Sequence, residues 1–436
     1  MQSSALPLGH AAAQNSKYSQ EYFNSRTSIY LLIICNGHGE DLIAHEIIKK
    51  LLSLERIKKI EVLPLVGNGH IFDSISSDIF RKIGTQIYLP SGGFSNQSLK
   101  GLFRDLRVGL LENLFNNWLL IKKKHKDNYK IIAIGDLLPL YFAWSSKCMF
   151  GFIGTPKSDY TWSSGPGKAI SDFYHKLKGS EWDPWELFLM GSQKCKFVIV
   201  RDALTANNLN LKNINAKYFG NPMMDFIKDK KLDHKNIESF QKLIMLIGSR
   251  CPEAFDNLEM FLSSLSTIDL PLKTLVFVPL SFNMDVNIIE DFFFKYKFSK
   301  EINKEYNLGE ESIWIKNNII FLIGKNTFDD WANLSQVGLA NAGTATEQIA
   351  GLGVPSLSLP GRGPQFTKKF ANRQQRLLGG SVRVCCDKQT LKKKLIDLLL
   401  DEKIRKKQAI IGLERMGPKG ASKKIVEYIN LNFLSQ

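Results

Sequence analysis

Two series of short apolar runs, separated by helix-patterned stretches, constrain this chain more than any other feature. The first series lies at 29–35, 61–66, 86–89, 130–134, 148–152, 197–200 and 217–219; the second lies at 243–247, 274–278, 319–323, 337–340, 356–359 and 382–384. Runs that are apolar throughout suit strands buried on both faces. Helix-length segments between them suit crossovers, so each series predicts a parallel sheet with helices packed on it. The polar stretch 228–235 divides the series. Past Val384 come Leu- and Lys-rich helical patterns at 389–400, 402–413 and 419–433, the last two parted by Gly417-Pro418. The organisation expected is α/β: a polar tail at 1–27, one doubly wound domain at 28–227, a second at 236–405, and closing helices at 406–436.

At 436 residues the chain has room for two or three domains. Its six cysteines form no CxxC pair and sit mostly in apolar runs, which points to reduced core residues and not to a disulfide framework or a zinc site. All seven histidines lie at or before His234, so imidazole chemistry can come only from the first half. The net charge of +16 is uneven: residues 388–424 hold twelve Lys/Arg against four Asp/Glu, and Lys122–Lys126 form a second cluster. Such a surface favours an anionic partner or is simply a solvated helix face. No aromatic RNA-binding motif or DNA-reading pattern accompanies it, so nucleic acid is not expected. The small polar residues of 1–27 do not read as a signal peptide, and Asp136, Pro139 and Lys147 interrupt the long apolar stretch 131–154. The location expected is cytoplasmic, with peripheral contact to an anionic membrane.

In open parallel sheets ligands bind outside the carboxyl ends of the strands. There the run 337–340 feeds Asn341-Ala-Gly-Thr-Ala-Thr-Glu347, a small-residue turn that opens a helix. Free N–H groups and the helix dipole make such a turn an anion site, and Glu347 suits a pair of sugar hydroxyls. Thr344-x-x-Glu347 equally fits a capping box that needs no ligand. The run 243–247 feeds Gly248-Ser-Arg250, where Gly248 and Ser249 let backbone approach a phosphate and Arg250 offers a fork of donors. Two anion loops in one domain suggest a nucleotide-diphosphate pocket.

In the first half, Asn36-Gly37-His38-Gly39-Glu40-Asp41 forms a glycine-rich turn that is not GxGxxG, so no dinucleotide cofactor is expected. His38 at its tip is a candidate for substrate contact, whereas Glu40 and Asp41 fit a role against the helix dipole. Asp136, at the end of the run 130–134, suits either a general base or a helix cap. The segment 155–186 reads as irregular, with Tyr160, Trp162, Phe173, Tyr174, Trp182 and Trp185 among lysines, which suits a lipid interface or an amphiphilic acceptor.

Taken together, Tyr218-Phe-Gly-Asn-Pro-Met-Met-Asp225, Leu246-Ile-Gly-Ser-Arg250 and Ala342-Gly-Thr-Ala-Thr-Glu347 resemble lipid-A-disaccharide synthase in order and spacing, closest to the group related to that synthase. The resemblance implies a GT-B fold over roughly 28–430, with the second domain holding a UDP-sugar and the closing helices crossing back to the first. It implies Gly248, Ser249, Arg250, Gly343, Thr344 and Thr346 around the diphosphate, Glu347 on the ribose, Gln374 and Gln375 near the donor sugar, and Asp136 as base. Asn36, Gly37, Gly39 and Trp162 fall on the acceptor side. The first loop departs from the family's Gly-Glu-x-Ser-Gly-Asp. What this implies is an inverting transfer from a UDP-sugar to an amphiphilic or lipid-linked acceptor. No Asp-x-Asp motif is present, so no metal is expected. A UDP-sugar 2-epimerase and a non-catalytic nucleotide-sugar or lipid binder of the same fold are the alternatives.

Overall fold

The structure, a computed structural model, describes residues 28–85, 106–107, 109–125, 127–165, 167, 170–229, 237–302, 306–361 and 366–435, apart from the side chain of His38. The expected strand at 86–89 and most of the 228–235 stretch lie outside the described residues.

Seven strands form the first sheet: β1 (Ile29–Cys35), β2 (Ile57–Pro64), β3 (Phe80–Lys82), β4 (Lys130–Gly135), β5 (Phe150–Gly154), β6 (Cys195–Val200) and β7 (Ala216–Lys217). Their order is β3-β2-β1-β4-β5-β6-β7, and every pairing is parallel. Leu31–Cys35 and Ile131–Ile134 are almost wholly buried, as central strands covered on both faces require. The connections on this sheet include α1 (His38–Leu51), α2 (Leu110–Lys124), α3 (Leu137–Ser145), α4 (Tyr160–Ser163), α5 (Ile170–Lys178), α6 (Pro184–Met190) and α7 (Ala203–Asn210). Segment 155–186, expected to be irregular, thus carries two helices and the start of a third. Its aromatics and lysines partly satisfy one another: Trp182 is fully buried, T-shaped against Phe152, with the Lys157 ammonium over its ring.

The second sheet has the order β10-β11-β12-β9-β8-β13-β14-β15. Its strands are β8 (Gln241–Leu246), β9 (Thr274–Leu280), β10 (Ser299–Glu301), β11 (Ser312–Lys316), β12 (Ile319–Lys325), β13 (Val337–Ala340), β14 (Ser356–Ser358) and β15 (Val382–Val384). β10 and β11 are antiparallel additions that the apolar runs do not reveal. Asn317-Asn318 turn β11 back into β12, with Asn317 at φ 53°. The helices here are α8 (Glu253–Leu265), α9 (Val286–Lys295), α10 (Phe328–Leu334), α11 (Thr344–Gly351), α12 (Lys368–Leu378), α13 (Lys388–Leu400) and α14 (Glu402–Met416).

α14 runs unbroken through 405–406 and lies on α11, where a Cβ on Gly412 would meet the Ala350 carbonyl oxygen at 2.3 Å. The chain turns at Gly417 (φ 73°), and α15 (Ala421–Ile429) carries it back to the first domain. There Ile425, Ile429 and Phe433 join the core of β1 and α1, and Phe197 meets Phe433 edge-on at 5.3 Å. Among the described residues no helix is long and apolar enough to cross a membrane.

In each sheet the order reverses once between adjacent parallel strands, at β1/β4 in the first and β8/β13 in the second. The crevices outside the carboxyl ends of these pairs are where such folds bind ligands.

Candidate functional site

A cleft of about 420 Å³ opens at the β8/β13 reversal. One wall is Gly248, Ser249 and Arg250 after β8; the other is the turn 341–343 and the first residues of α11. Gly248 adopts φ 92°, a conformation that favours glycine, and even a Cβ there would stand 3.4 Å from the Asn341 carbonyl oxygen. Asn341 pins the turn. Its Nδ2 donates to Asn257 Oδ1 (3.0 Å) and the Leu359 carbonyl (2.7 Å), while its Oδ1 accepts from Ser358 Oγ (3.2 Å) and the Leu359 N–H (3.1 Å).

The capping-box alternative does not form. Gly343 precedes the first turn of α11, no side chain caps it, and the Glu347 carboxylate points elsewhere. The N–H groups of Thr346 and Glu347 are bonded to the Gly343 carbonyl (3.1 and 3.3 Å), so those of Thr344 and Ala345, both lining the cleft, are the ones an anion could meet.

Of the residues assigned to the donor, Gly248, Ser249, Arg250, Gly343 and Thr344 line this cleft. Thr346, Gln374 and Gln375 stand behind it. The buried Thr346 hydroxyl donates to the Ala342 carbonyl at 2.7 Å. Gln374 Nε2 donates to the carbonyls of Ala342 (3.1 Å) and Gly343 (3.0 Å), bracing the turn from its far side. Gln375 Oε1 accepts from the Val384 N–H at 2.6 Å, tying α12 to β15. Glu347 faces the first domain, where its Oε2 accepts from Arg201 Nη2 at 2.6 Å. Sequence reasoning passed over Ser281, Phe328 and Phe370, which also line the cleft. The strand-end rule points to Ser281, just past β9.

At the β1/β4 reversal the first domain gathers carboxylates. Asp136 caps α3, its Oδ1 accepting from the Leu138 N–H (3.1 Å) and from Asn36 Nδ2 (2.7 Å). Gly135, at φ 133°, leaves room for this contact: a Cβ there would lie 2.1 Å from Asn36 Oδ1. Gly37 (φ 117°) turns the chain into α1, which begins at His38 and carries Gly39 in its first turn. The His38 side chain lies outside the described part of the structure.

Glu40, read from sequence as a dipole partner, does stand in the first turn of α1, and its burial adds what the sequence could not show. Burial, helped by the charges of Asp136 and Asp41, pushes its carboxyl up to about 7 against opposing hydrogen bonds, and Thr155 Oγ1 lies 3.4 Å from its Oε1. Burial likewise pushes neighbouring Asp41 up to about 7. Trp162 lies on α4, which packs against α12 of the other domain.

The two corners are linked. Arg201, at the end of β6, donates from Nη1 to the Thr155 carbonyl (3.4 Å) and from Nη2 to Glu347. Glu40, Thr155, Arg201 and Glu347 thus form one polar chain across the interdomain cleft. Arg373–Glu181 (3.0 Å) and Arg376–Asp172 (2.7 Å) tie α12 to the first domain alongside it.

No protein-family model matches the chain, and no curated protein matches it. Solved structures do. A UDP-N-acetylglucosamine 2-epimerase is similar at TM-score 0.55 and 14% identity, covering 94% of this chain and 98% of its own. The UDP-GlcNAc 2-epimerase from Neisseria meningitidis, bound to UDP-GlcNAc, gives 0.52 and 17%, covering 93% and 100%. CalG4, the calicheamicin glycosyltransferase, gives 0.54 and 11%, covering 93% and 99%. At these identities the likeness establishes the fold. It is GT-B: two Rossmann-like domains facing a cleft, with the closing helices packed back. Kinship with lipid-A-disaccharide synthase, implied by the three sequence motifs, finds no support among these matches.

Proposed function

We propose that this protein is an enzyme that breaks the anomeric C–O bond of a UDP-sugar. The diphosphate lies on Gly248–Arg250 and the N-terminus of α11, and Glu347 meets the ribose. The sugar then projects toward Asp136 and Glu40. The observation that supports this reading is the polar chain from Glu40 through Thr155 and Arg201 to Glu347, which joins the strand-end corner of the first domain to the helix that opens the cleft of the second. The N–H groups of α11 and the Arg250 guanidinium stabilise the charge that develops on the leaving diphosphate.

Within this class 2-epimerisation is the reading we favour. C2 of a sugar bound to UDP through C1 is not acidic. A cofactor-free route therefore loses UDP across C1 and C2, then returns it with a proton on the opposite face. That chemistry needs both an acid and a base beside the sugar, and we assign these roles to Glu40, raised by burial to about 7, and Asp136 at the same strand-end corner. Epimerases among the similar structures agree with it.

Transfer to an amphiphilic acceptor is the second reading, favoured by exposed Leu111 and Phe115 on α2 and Ile170, Phe173 and Leu177 on α5. Lys122–Lys124 at the end of α2 suit an anionic membrane that would present such an acceptor. Incubation with UDP-N-acetylglucosamine alone in deuterium oxide, followed by proton NMR, separates the readings. Deuterium at C2 with appearance of the C2 epimer supports epimerisation; an unchanged sugar removes it and leaves transfer. Failure of UDP-N-acetylglucosamine and UDP to bind at all refutes both.

A further inference from the structure

Arg201 is buried, 3% exposed, at the boundary between the two domains. Nothing in the sequence around it singles it out: its carboxylate partner lies 146 residues further on. A guanidinium has five N–H donors and keeps its charge when buried, so full satisfaction needs several acceptors. Here it has one strong acceptor, Glu347 Oε2 at 2.6 Å, a longer contact to the Thr155 carbonyl at 3.4 Å, and the weakly accepting Met416 sulfur at 3.5 Å; Nε has no partner. A buried cation so sparsely paired costs stability. Leucine or methionine would fill the space without that cost.

Glu347 explains what the arrangement can supply. It belongs to the first turn of α11, one turn from Gly343 and Thr344 of the cleft. A carboxylate there repels an incoming diphosphate and rotates freely unless something holds it. Arg201 does both jobs from the opposite domain: it offsets the charge and fixes one carboxylate oxygen.

We propose that Arg201 is a positioning residue that orients Glu347 toward the ribose hydroxyls of a bound uridine nucleotide. The inference rests on the nucleotide assignment of the cleft. Because the pair joins the two domains, nucleotide affinity and domain closure favour each other.

Calorimetric titration with UDP and with 2′,3′-dideoxy-UDP tests it. Wild type is expected to prefer UDP by roughly tenfold or more, the worth of a charged hydrogen bond. Arg201→Met is expected to bring that ratio near one, and Arg201→Lys to give an intermediate value. In a Glu347→Gln background, Arg201→Met is expected to leave the ratio where Glu347→Gln alone puts it. A ratio unchanged in Arg201→Met, with both nucleotides weakened by the same factor, overturns the inference and makes Arg201 merely structural. Should Arg201→Met fail to fold by circular dichroism, the Arg201→Lys ratio decides: a reduced value supports the proposal and a wild-type value overturns it. Absence of UDP binding by the wild type is a different failure, of the cleft assignment itself, and the inference falls with it.

Discussion

Replacing Glu40 with glutamine should change how stability depends on pH, and the size of the change follows from its surroundings. In the fold burial raises this carboxyl from 4.5 to about 7. The folded state therefore holds a proton that the unfolded state releases between those values, and stability falls as pH rises through that window. The loss begins near the unfolded pKa, is largely complete slightly above 7, and is constant beyond. A displacement of about 2.5 units at 1.36 kcal/mol per unit gives a cost of about 3 kcal/mol at pH 8. At pH 5 most of it has vanished.

Glu40→Gln removes the titrating group, so the variant should match the wild type near pH 5 and exceed it by about 2 to 3 kcal/mol at pH 8. Urea unfolding followed by tryptophan fluorescence at several pH values between 5 and 8.5 reads this directly. Asp41, also raised by burial, should leave the variant with a residual slope that Glu40→Gln/Asp41→Asn reduces further. Parallel curves for wild type and Glu40→Gln would refute the claim that this corner holds a desolvated acid, and with it the acid–base role of Glu40.

Asn341→Leu should destabilise by about 3 kcal/mol or more in the same unfolding assay, because it strips partners from both the N–H and the carbonyl of buried Leu359. UDP affinity should fall with it. Asp136→Ala loses the cap of α3, for about 1 kcal/mol, whereas Asp136→Asn keeps an acceptor oxygen and should leave stability nearly intact while turnover drops by roughly 100-fold or more. Gly151→Ala would place a Cβ 2.0 Å from the Phe197 ring, which Phe433 blocks from retreating. The expected loss is about 1 to 3 kcal/mol, with earlier proteolytic release of the closing helix.

The fold was largely legible because both sheets are built on strands buried on both faces, whose apolar runs stand out without alternation. What escaped was the edge. β10 (Ser-Lys-Glu) has no apolar signature, and the three apolar residues of β11 (Ser-Ile-Trp-Ile-Lys) were passed over as too short a run. The two glycine loops that line the cleft were readable too, since Gly248 and Gly343 sit where strand ends meet helix starts. Rotation about a helix axis was not. Gln374 and Gln375 are adjacent, so they point about 100° apart, and neither reaches the cleft: one braces the turn and the other ties α12 to β15. Glu40 and Arg201 were invisible for one shared reason. Their character comes from burial and partners supplied by distant elements, and no local pattern records that.

Calorimetry with UDP, comparing wild type and Arg250→Met, tests the central claim most directly. The account predicts saturable binding of one UDP per chain to the wild type, weakened roughly tenfold or more in Arg250→Met through loss of a charged donor in the cleft. No binding by the wild type, or equal affinity in the two proteins, would contradict it.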